Sequence, residues 1–103
     1  MPISGGYPGM LEGASGEEDG SATAVQLPNV PCQLAWIKAV RSNAGNVYIG
    51  YAGVTKVDGT TDTTTGFELD AGEVLGPLTI DNLNRLFLIS ANAGDDIPYF
   101  VLR

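Results

Sequence analysis

The sequence contains no histidine and a single cysteine, Cys32, among its 103 residues. The lack of histidine excludes a Ser–His or Cys–His catalytic pair, and one cysteine cannot form an intrachain disulfide. A lone cysteine at the entry to an apolar stretch is more often a small buried side chain than a reactive thiol. These absences predict a protein that is not an enzyme and whose fold does not depend on disulfides.

Basic residues are also scarce, since five Lys and Arg stand against twelve Asp and Glu, for a formal net charge of −7. Binding to nucleic acid or to an anionic membrane depends on clustered Lys and Arg, and here the five are scattered. No apolar run approaches the roughly 20 residues that cross a bilayer, and the first residues lack the basic and apolar regions of a signal peptide. We therefore expect no nucleic-acid partner, no membrane partner and synthesis in the cytoplasm.

Carboxylates offer the remaining candidates for chemistry. Asp58 and Asp62 flank a threonine-rich stretch, and Asp95 is followed directly by Asp96 in a predicted turn. Neither spacing matches the ligand positions of an EF-hand loop, and adjacent aspartates in a turn usually point apart into solvent. The sequence therefore predicts no catalytic residue, no cofactor site and no metal site.

The first 21 residues differ in composition from the rest of the chain. Residues 1–21 are rich in Gly and Ser and carry Glu12, Glu17, Glu18 and Asp19 without one basic residue. Such a segment buries too little apolar area to offset the entropy of ordering it. The sequence predicts a disordered or extended N-terminal arm over 1–21 and a folded domain over 22–103, with the arm either solvated or ordered on a neighbouring subunit.

Short apolar runs alternate with Gly, Asp, Asn and Pro turns throughout the predicted domain, which is typical of all-β proteins. Strands are predicted over 23–27, 33–41, 47–51, 67–69, 74–80, 86–90 and 97–102. The run 33–41 is apolar on both faces, which favours a central strand, with a helix as the competing interpretation. Pro77 indicates an edge strand, residues 81–84 a corner capped by Asx side chains, and residues 53–66 an exposed threonine-rich loop.

About seven or eight short strands with regular turn signals favour a compact antiparallel β-sandwich, jelly-roll or small barrel. The predicted core follows from the apolar positions of these strands. It consists of Leu34, Trp36, Ile37, Val40, Val47, Ile49, Phe67, Leu69, Val74, Ile80, Leu83, Phe87, Ile89, Tyr99 and Val101. We expect a β-sandwich or jelly-roll with no helix of ordinary length.

Four segments between Cys32 and Val101 carry a resemblance to a known group of proteins. They read CQLAWIKAV, GNVYIGYAGVT, GFELDAGEVLGPLTIDNLNRLFLIS and AGDDIPYFV. This order of strands and turns resembles small virion structural proteins of tailed bacteriophages, of the capsid decoration (cement), head-fibre or spike-base type. The resemblance implies a β-sandwich or jelly-roll that is often trimeric, and its motifs are structural rather than catalytic.

The resemblance implies a non-enzymatic protein of the virion that decorates or stabilises the capsid, bound to the major capsid protein or other virion proteins and associated as a homotrimer. The alternative is a tail-, fibre- or spike-associated β-domain that binds a glycan or protein on the host surface. The arm, the aromatic side chains and the threonine-rich loop are the candidate contacts. They comprise Tyr7, Met10, Leu11, Trp36, Tyr48, Tyr51 and Thr63. The aromatic side chains of Trp36, Tyr48 and Tyr51 would form a sugar-binding platform in the alternative, although packing in a core or interface is commoner.

Overall fold

Eight antiparallel strands in two four-stranded sheets make up the computed structural model, which describes residues 13–56 and 65–103. The strands are β1 (Gly13–Asp19), β2 (Val25–Gln26), β3 (Leu34–Lys38), β4 (Val47–Gly50), β5 (Phe67–Leu69), β6 (Val74–Thr79), β7 (Phe87–Ser90) and β8 (Asp96–Leu102). The first sheet has the order β1-β8-β3-β6 and the second β2-β7-β4-β5. The only helical element among the described residues is a 3-10 turn over Leu83–Arg85.

The two sheets enclose one apolar core, because alternate side chains of every long strand point to the layer between them. The first sheet contributes Ile37, Ile97 and Val101, and the second contributes Val47 and Leu88, all fully buried. The all-β antiparallel class is confirmed. The finer jelly-roll assignment stays a prediction.

The run 33–41 forms a strand rather than a helix, and β3 lies between β8 and β6 as predicted for a central strand. Only one of its faces is buried: Ala35 and Ile37 lie in the core, whereas Leu34 and Trp36 are half-buried on the outer side. The apolar pattern on both faces of this run thus correctly indicates a strand with a neighbour on each side. It does not indicate that both faces of the first sheet are covered.

The predicted disordered or extended arm over residues 1–21 is extended where the structure describes it, because Gly13–Asp19 forms β1 and pairs with all seven residues of β8 in the first sheet. A strand made of small and acidic residues can form by backbone hydrogen bonding alone when the neighbouring strand supplies the apolar side chains. Gly16 lies opposite Tyr99, whose ring occupies the space that a side chain at position 16 would need. Residues 1–12, the remainder of the predicted arm, lie outside the described residues.

The other predicted strands are confirmed with small changes of boundary, and Pro77 lies in β6 at the edge of the first sheet, as predicted. The corner is also confirmed. The side-chain oxygen of Asn82 accepts hydrogen bonds from the backbone N–H of Val30 at 3.1 Å and of Asn84 at 2.9 Å. Arg85 and Asp81 form a bidentate pair beside it at 2.8 and 2.9 Å.

Seven of the fifteen predicted core residues are buried. They are Ile37, Val47, Ile49, Leu69, Leu83, Ile89 and Val101. Two predictions are wrong, since Phe67 is 60% exposed and Val74 is 52% exposed. Both residues lie at the start of edge strands, where no further strand covers them. Cys32 is buried as predicted, and burial raises the pKa of its thiol.

Candidate functional site

The outer face of the first sheet exposes an aromatic pair. Trp36 on β3 lies directly opposite Phe100 on β8, and their ring centroids are 5.6 Å apart at an interplanar angle of 46°. Both point outward because their neighbours Ile37 and Val101 point into the core. Phe100 is 48% exposed, so the pair is partly in solvent.

A shallow apolar groove of about 230 Å³ runs over this pair. It is lined by Trp36, Lys38, Val74, Pro98, Tyr99 and Phe100. Lys38 and Val74 are paired across β3 and β6 and close one side of the groove. We name this surface the open face. An exposed cluster of aromatic and aliphatic side chains is the kind of surface that protein partners cover.

Three carboxylates lie at the opposite side of the open face. Glu17 and Asp19 on β1 and Asp96 on β8 each place one carboxylate oxygen within 4.8 Å of the others. Repulsion from Asp96 is the main cause that raises the pKa of Glu17 above its ordinary value. The outer side of the first sheet therefore combines an apolar groove with a crowded negative charge. Exposed carboxylates of this kind do not by themselves define a metal site.

The outer face of the second sheet is covered by the chain's own residues. Tyr48 on β4 and Ile89 on β7 are paired on this face, and Val54 packs on them together with Phe87. The segment after β4 approaches so closely that a side-chain carbon at Gly50 would come within 2.8 Å of a Val54 methyl. A glycine at position 50 is thus the local reason that this face closes.

Tyr48 is only 5% exposed, and its hydroxyl donates a hydrogen bond to Glu68 at 2.8 Å. Asn46 donates to the same carboxylate oxygen at 2.8 Å. These hydrogen bonds, first that from Asn46 and then that from Tyr48, lower the pKa of Glu68. Tyr48 therefore stabilises the covered face and does not belong to an exposed contact surface.

A second groove, of about 350 Å³, opens beside the covered face. Tyr51, which is 73% exposed, and Phe67 line it together with Gly53, Val54 and Thr65. Thr55 and Thr65 bridge its far side, since the backbone N–H of each donates to the hydroxyl of the other at 3.0 and 2.9 Å. This groove is the only place in the described chain where one of the predicted tyrosines, Tyr51, is presented to solvent.

The last turn differs from the prediction that its aspartates are solvated. Asp95 is buried and accepts hydrogen bonds from the backbone N–H groups of Ala44 at 2.9 Å and Gly45 at 3.1 Å. Asn43 and Asp96 are joined by two further bonds through the Asn43 amide. The Asp95 carboxylate thus fastens the β3–β4 turn to the β7–β8 turn and is engaged in structure.

The predicted contact residues do not form one surface. Trp36 lies on the open face, Tyr48 is buried on the other sheet, and Tyr51 borders the second groove. The predicted platform of these three residues is therefore wrong. The remaining predicted contacts, Tyr7, Met10, Leu11 and Thr63, lie outside the described residues.

Sequence reasoning missed two exposed residues of the open face. Val74 and Phe100 both line its groove, whereas the sequence predicts Val74 in the core and Phe100 in neither the core nor the contacts. The available signal was the alternation in β8, in which Pro98 and Phe100 share one side and Ile97 and Val101 the other.

Comparison with models of known protein families, with curated proteins and with solved structures finds no significant match. No helix in the described part of the chain is long and apolar enough to cross a bilayer. The resemblance to phage virion proteins thus stays a prediction drawn from sequence motifs, and the open face is the feature on which a functional proposal rests.

Proposed function

We propose that this chain is a non-enzymatic structural protein of a tailed-phage virion that decorates or stabilises the capsid by binding the major capsid protein or other virion proteins. The supporting observation is the open face, on which Val74 and Phe100 are exposed beside the half-buried Trp36, although the protein's other sheet covers its own outer side. Burying such a surface against a neighbouring subunit is favourable because it removes apolar area from water.

The mechanism proposed is mechanical. A shell offers many equivalent sites, so modest contacts repeated by symmetry add up to firm attachment. The rigid sandwich presents Trp36 and Phe100 in a fixed geometry, which lowers the entropy lost on binding. Homotrimers would increase this effect, and the protein would be made in the host cytoplasm and then carried in the virion.

The test uses heads of the virus that encodes the chain, prepared with its gene deleted. Purified protein should restore occupancy on these heads, and the Phe100→Ser and Trp36→Ala variants should lower it about tenfold or more, as expected for aromatic hot spots at a contact. Tyr51→Ala is the matched control and should bind as the original chain does. Heads that never take up the folded protein would rule out the decoration role.

The solution mass, measured by light scattering after size exclusion, tests the proposed trimer separately. A species near three times 10.7 kDa supports a trimer, and a species of 10.7 kDa means that the subunits assemble only on their shell or act singly.

A second candidate function is recognition of a host-surface glycan or protein, and one observation favours it. Tyr51 and Phe67 are both exposed beside the groove of about 350 Å³, where an aromatic ring can pack against a sugar. A glycan array should then show binding that Tyr51→Ala abolishes and Phe100→Ser leaves intact. An array without signal speaks against this alternative.

A further inference from the structure

The four outer strands of the two sheets differ in how well they resist pairing with another chain. β2 has two residues and β5 has three, so neither offers a long row of backbone groups. β6 contains Pro77, which has no N–H to donate, and its pairing with β3 is interrupted by a register shift. Short strands, prolines and bulges are the usual protections of a sheet edge.

β1 has none of these protections. It runs for seven residues in unbroken register with β8, contains no proline, and has no second neighbour among the described residues. An unprotected edge of this length presents a ladder of donors and acceptors to any extended chain. Among the described residues, the one feature that opposes pairing is the negative charge of β1.

The hydrogen-bond alternation identifies the backbone groups that point away from β8. The backbone N–H of Gly20, which follows β1, donates to the Asp95 carbonyl at 2.7 Å. The backbone N–H of Val40, which lies on the other side of β8, donates to the carbonyl of the next residue, Asp96. Because bonded and non-bonded pairs alternate along an antiparallel ladder, Gly16 and Glu18 exchange bonds with β8. The N–H and C=O groups of Ser15 and Glu17 therefore face outward from the sheet.

The side chains beside this edge specify the charge of a matching partner. Glu17 and Asp19 are exposed on the same side of β1, two residues apart, and Asp96 adds a third carboxylate next to them. A strand paired with β1 would place alternate side chains within about 5 Å of these two acids. Lys or Arg at those positions relieves the repulsion, whereas Asp or Glu increases it.

We infer that the β1 edge binds an extended segment of a partner protein by strand addition, and that this segment carries Lys or Arg at two alternate positions opposite Glu17 and Asp19. A second copy of this chain is a poorer occupant because its β1 would bring the same carboxylates to the junction. The inference deepens the proposed function, since it names the chemistry of the segment that such a partner supplies.

An apolar residue two positions beyond the second basic one extends the match. In an antiparallel partner it lies opposite Ser15, whose own cross-strand neighbour is Phe100. Since Ser15 is small, a long apolar side chain can reach over it to the open face. The expected antiparallel pattern is thus basic-x-basic-x-apolar, where x is any residue.

The experiment uses the full chain and a fluorescein-labelled peptide of sequence TKTKTFT, together with its reverse TFTKTKT, to cover both strand directions. We expect saturable binding by fluorescence anisotropy and amide shifts at Ser15 and Glu17 in NMR spectra. Two control peptides should bind more weakly, by about tenfold or more. One is the charge-reversed TETETFT, and the other is TKTKTFT N-methylated at its Lys and Phe residues, which lie opposite the outward-facing groups of β1. No virion is needed, so this assay and the head-binding assay fail independently.

Two variants separate strand addition from simple charge attraction. Ser15→Pro removes one outward N–H while leaving the β1–β8 ladder intact, and should weaken binding about fivefold or more, whereas Ser15→Ala should not. Glu17→Gln with Asp19→Asn tests the charge and should weaken binding about tenfold. Circular dichroism checks that each variant is folded.

Three outcomes would overturn the inference. Equal binding by Ser15→Pro and by the N-methylated peptide would mean that only charge acts. A dimer that forms without peptide and dissociates on Ser15→Pro would show that the edge takes a second copy. No binding by either basic peptide at millimolar concentration would show that the edge takes no basic strand.

Discussion

The outer faces of the two sheets use similar residues and differ in their covering. On the second sheet, Tyr48 and Ile89 are buried beneath Val54, and on the first, Phe100 is 48% exposed beside the half-buried Trp36. The cause is local, because the segment after β4 folds back over Gly50, and no described segment does so over β3 and β8. Aromatic residues on outer strand positions are thus packing on one sheet and a candidate contact on the other.

The largest effect is expected from the layer that both faces share. Leu88 is fully buried between the sheets, so Leu88→Ala should lower the free energy of unfolding by about 2–5 kcal/mol through lost burial and a cavity. Urea denaturation measures this. Val74→Ala on the open face is the control, at about 0.5 kcal/mol or less. Equal losses would mean that Val74 is covered in the isolated protein.

A smaller loss is expected when the covered face is opened. Val54 is buried on Tyr48 and Ile89, and Val54→Ala removes two methyl groups, worth about 1.5 kcal/mol at about 0.8 kcal/mol per group. The same urea experiment should show this loss, while the emission of Trp36, the only tryptophan, should not move. If stability is unchanged, the covering segment does not pack on this face in solution.

A substitution on the open face should change the emission of Trp36 more than it changes the free energy of unfolding. Phe100→Ser removes the ring beside Trp36, so the emission of Trp36 should shift to longer wavelength with a stability loss of about 1 kcal/mol or less. Val54→Ala is the matched control for this spectrum. An unchanged emission on Phe100→Ser would contradict the observed ring contact.

The smallest effects concern pH, and they have opposite signs on the two faces. The pKa of Glu68 is lowered in the folded protein by Asn46 and Tyr48, so its stabilising effect is present above the ordinary value of 4.5 and is lost as the pH falls through the lowered pKa. Glu68→Gln should therefore destabilise the protein at neutral pH and have little effect in acid.

The pKa of Glu17 is raised, chiefly by Asp96, so the folded state holds this proton more firmly than the unfolded chain. Its destabilising effect appears as the pH rises from 4.5 through the raised pKa and is complete above it. Glu17→Gln should stabilise the protein at neutral pH and be neutral in acid, as urea melts at both pH values would show. If Glu68→Gln and Glu17→Gln changed the free energy of unfolding in the same direction at neutral pH, the contacts assigned to these two carboxylates would be contradicted.

Much of the fold follows from local sequence. Strands β3 to β8 appear as short apolar runs bounded by Gly, Asn, Asp and Pro, and the edge position of Pro77 and the Asn82 corner follow from backbone hydrogen bonding alone. β1 could not be predicted in this way. Its residues are small or acidic, and only pairing with β8, some eighty positions away, makes them a strand.

The all-β class, the turns, the buried Cys32 and the alternation of side chains along each strand follow from the sequence alone, because these depend on neighbours in the chain. Long-range contacts set which of the two alternating faces is covered. They bury Tyr48 under Val54, leave Phe100 exposed beside the half-buried Trp36, engage Asp95 in a distant turn and give the sheet its acidic edge at β1. Those outcomes depend on contacts between segments far apart in sequence, which alternation along one strand does not encode.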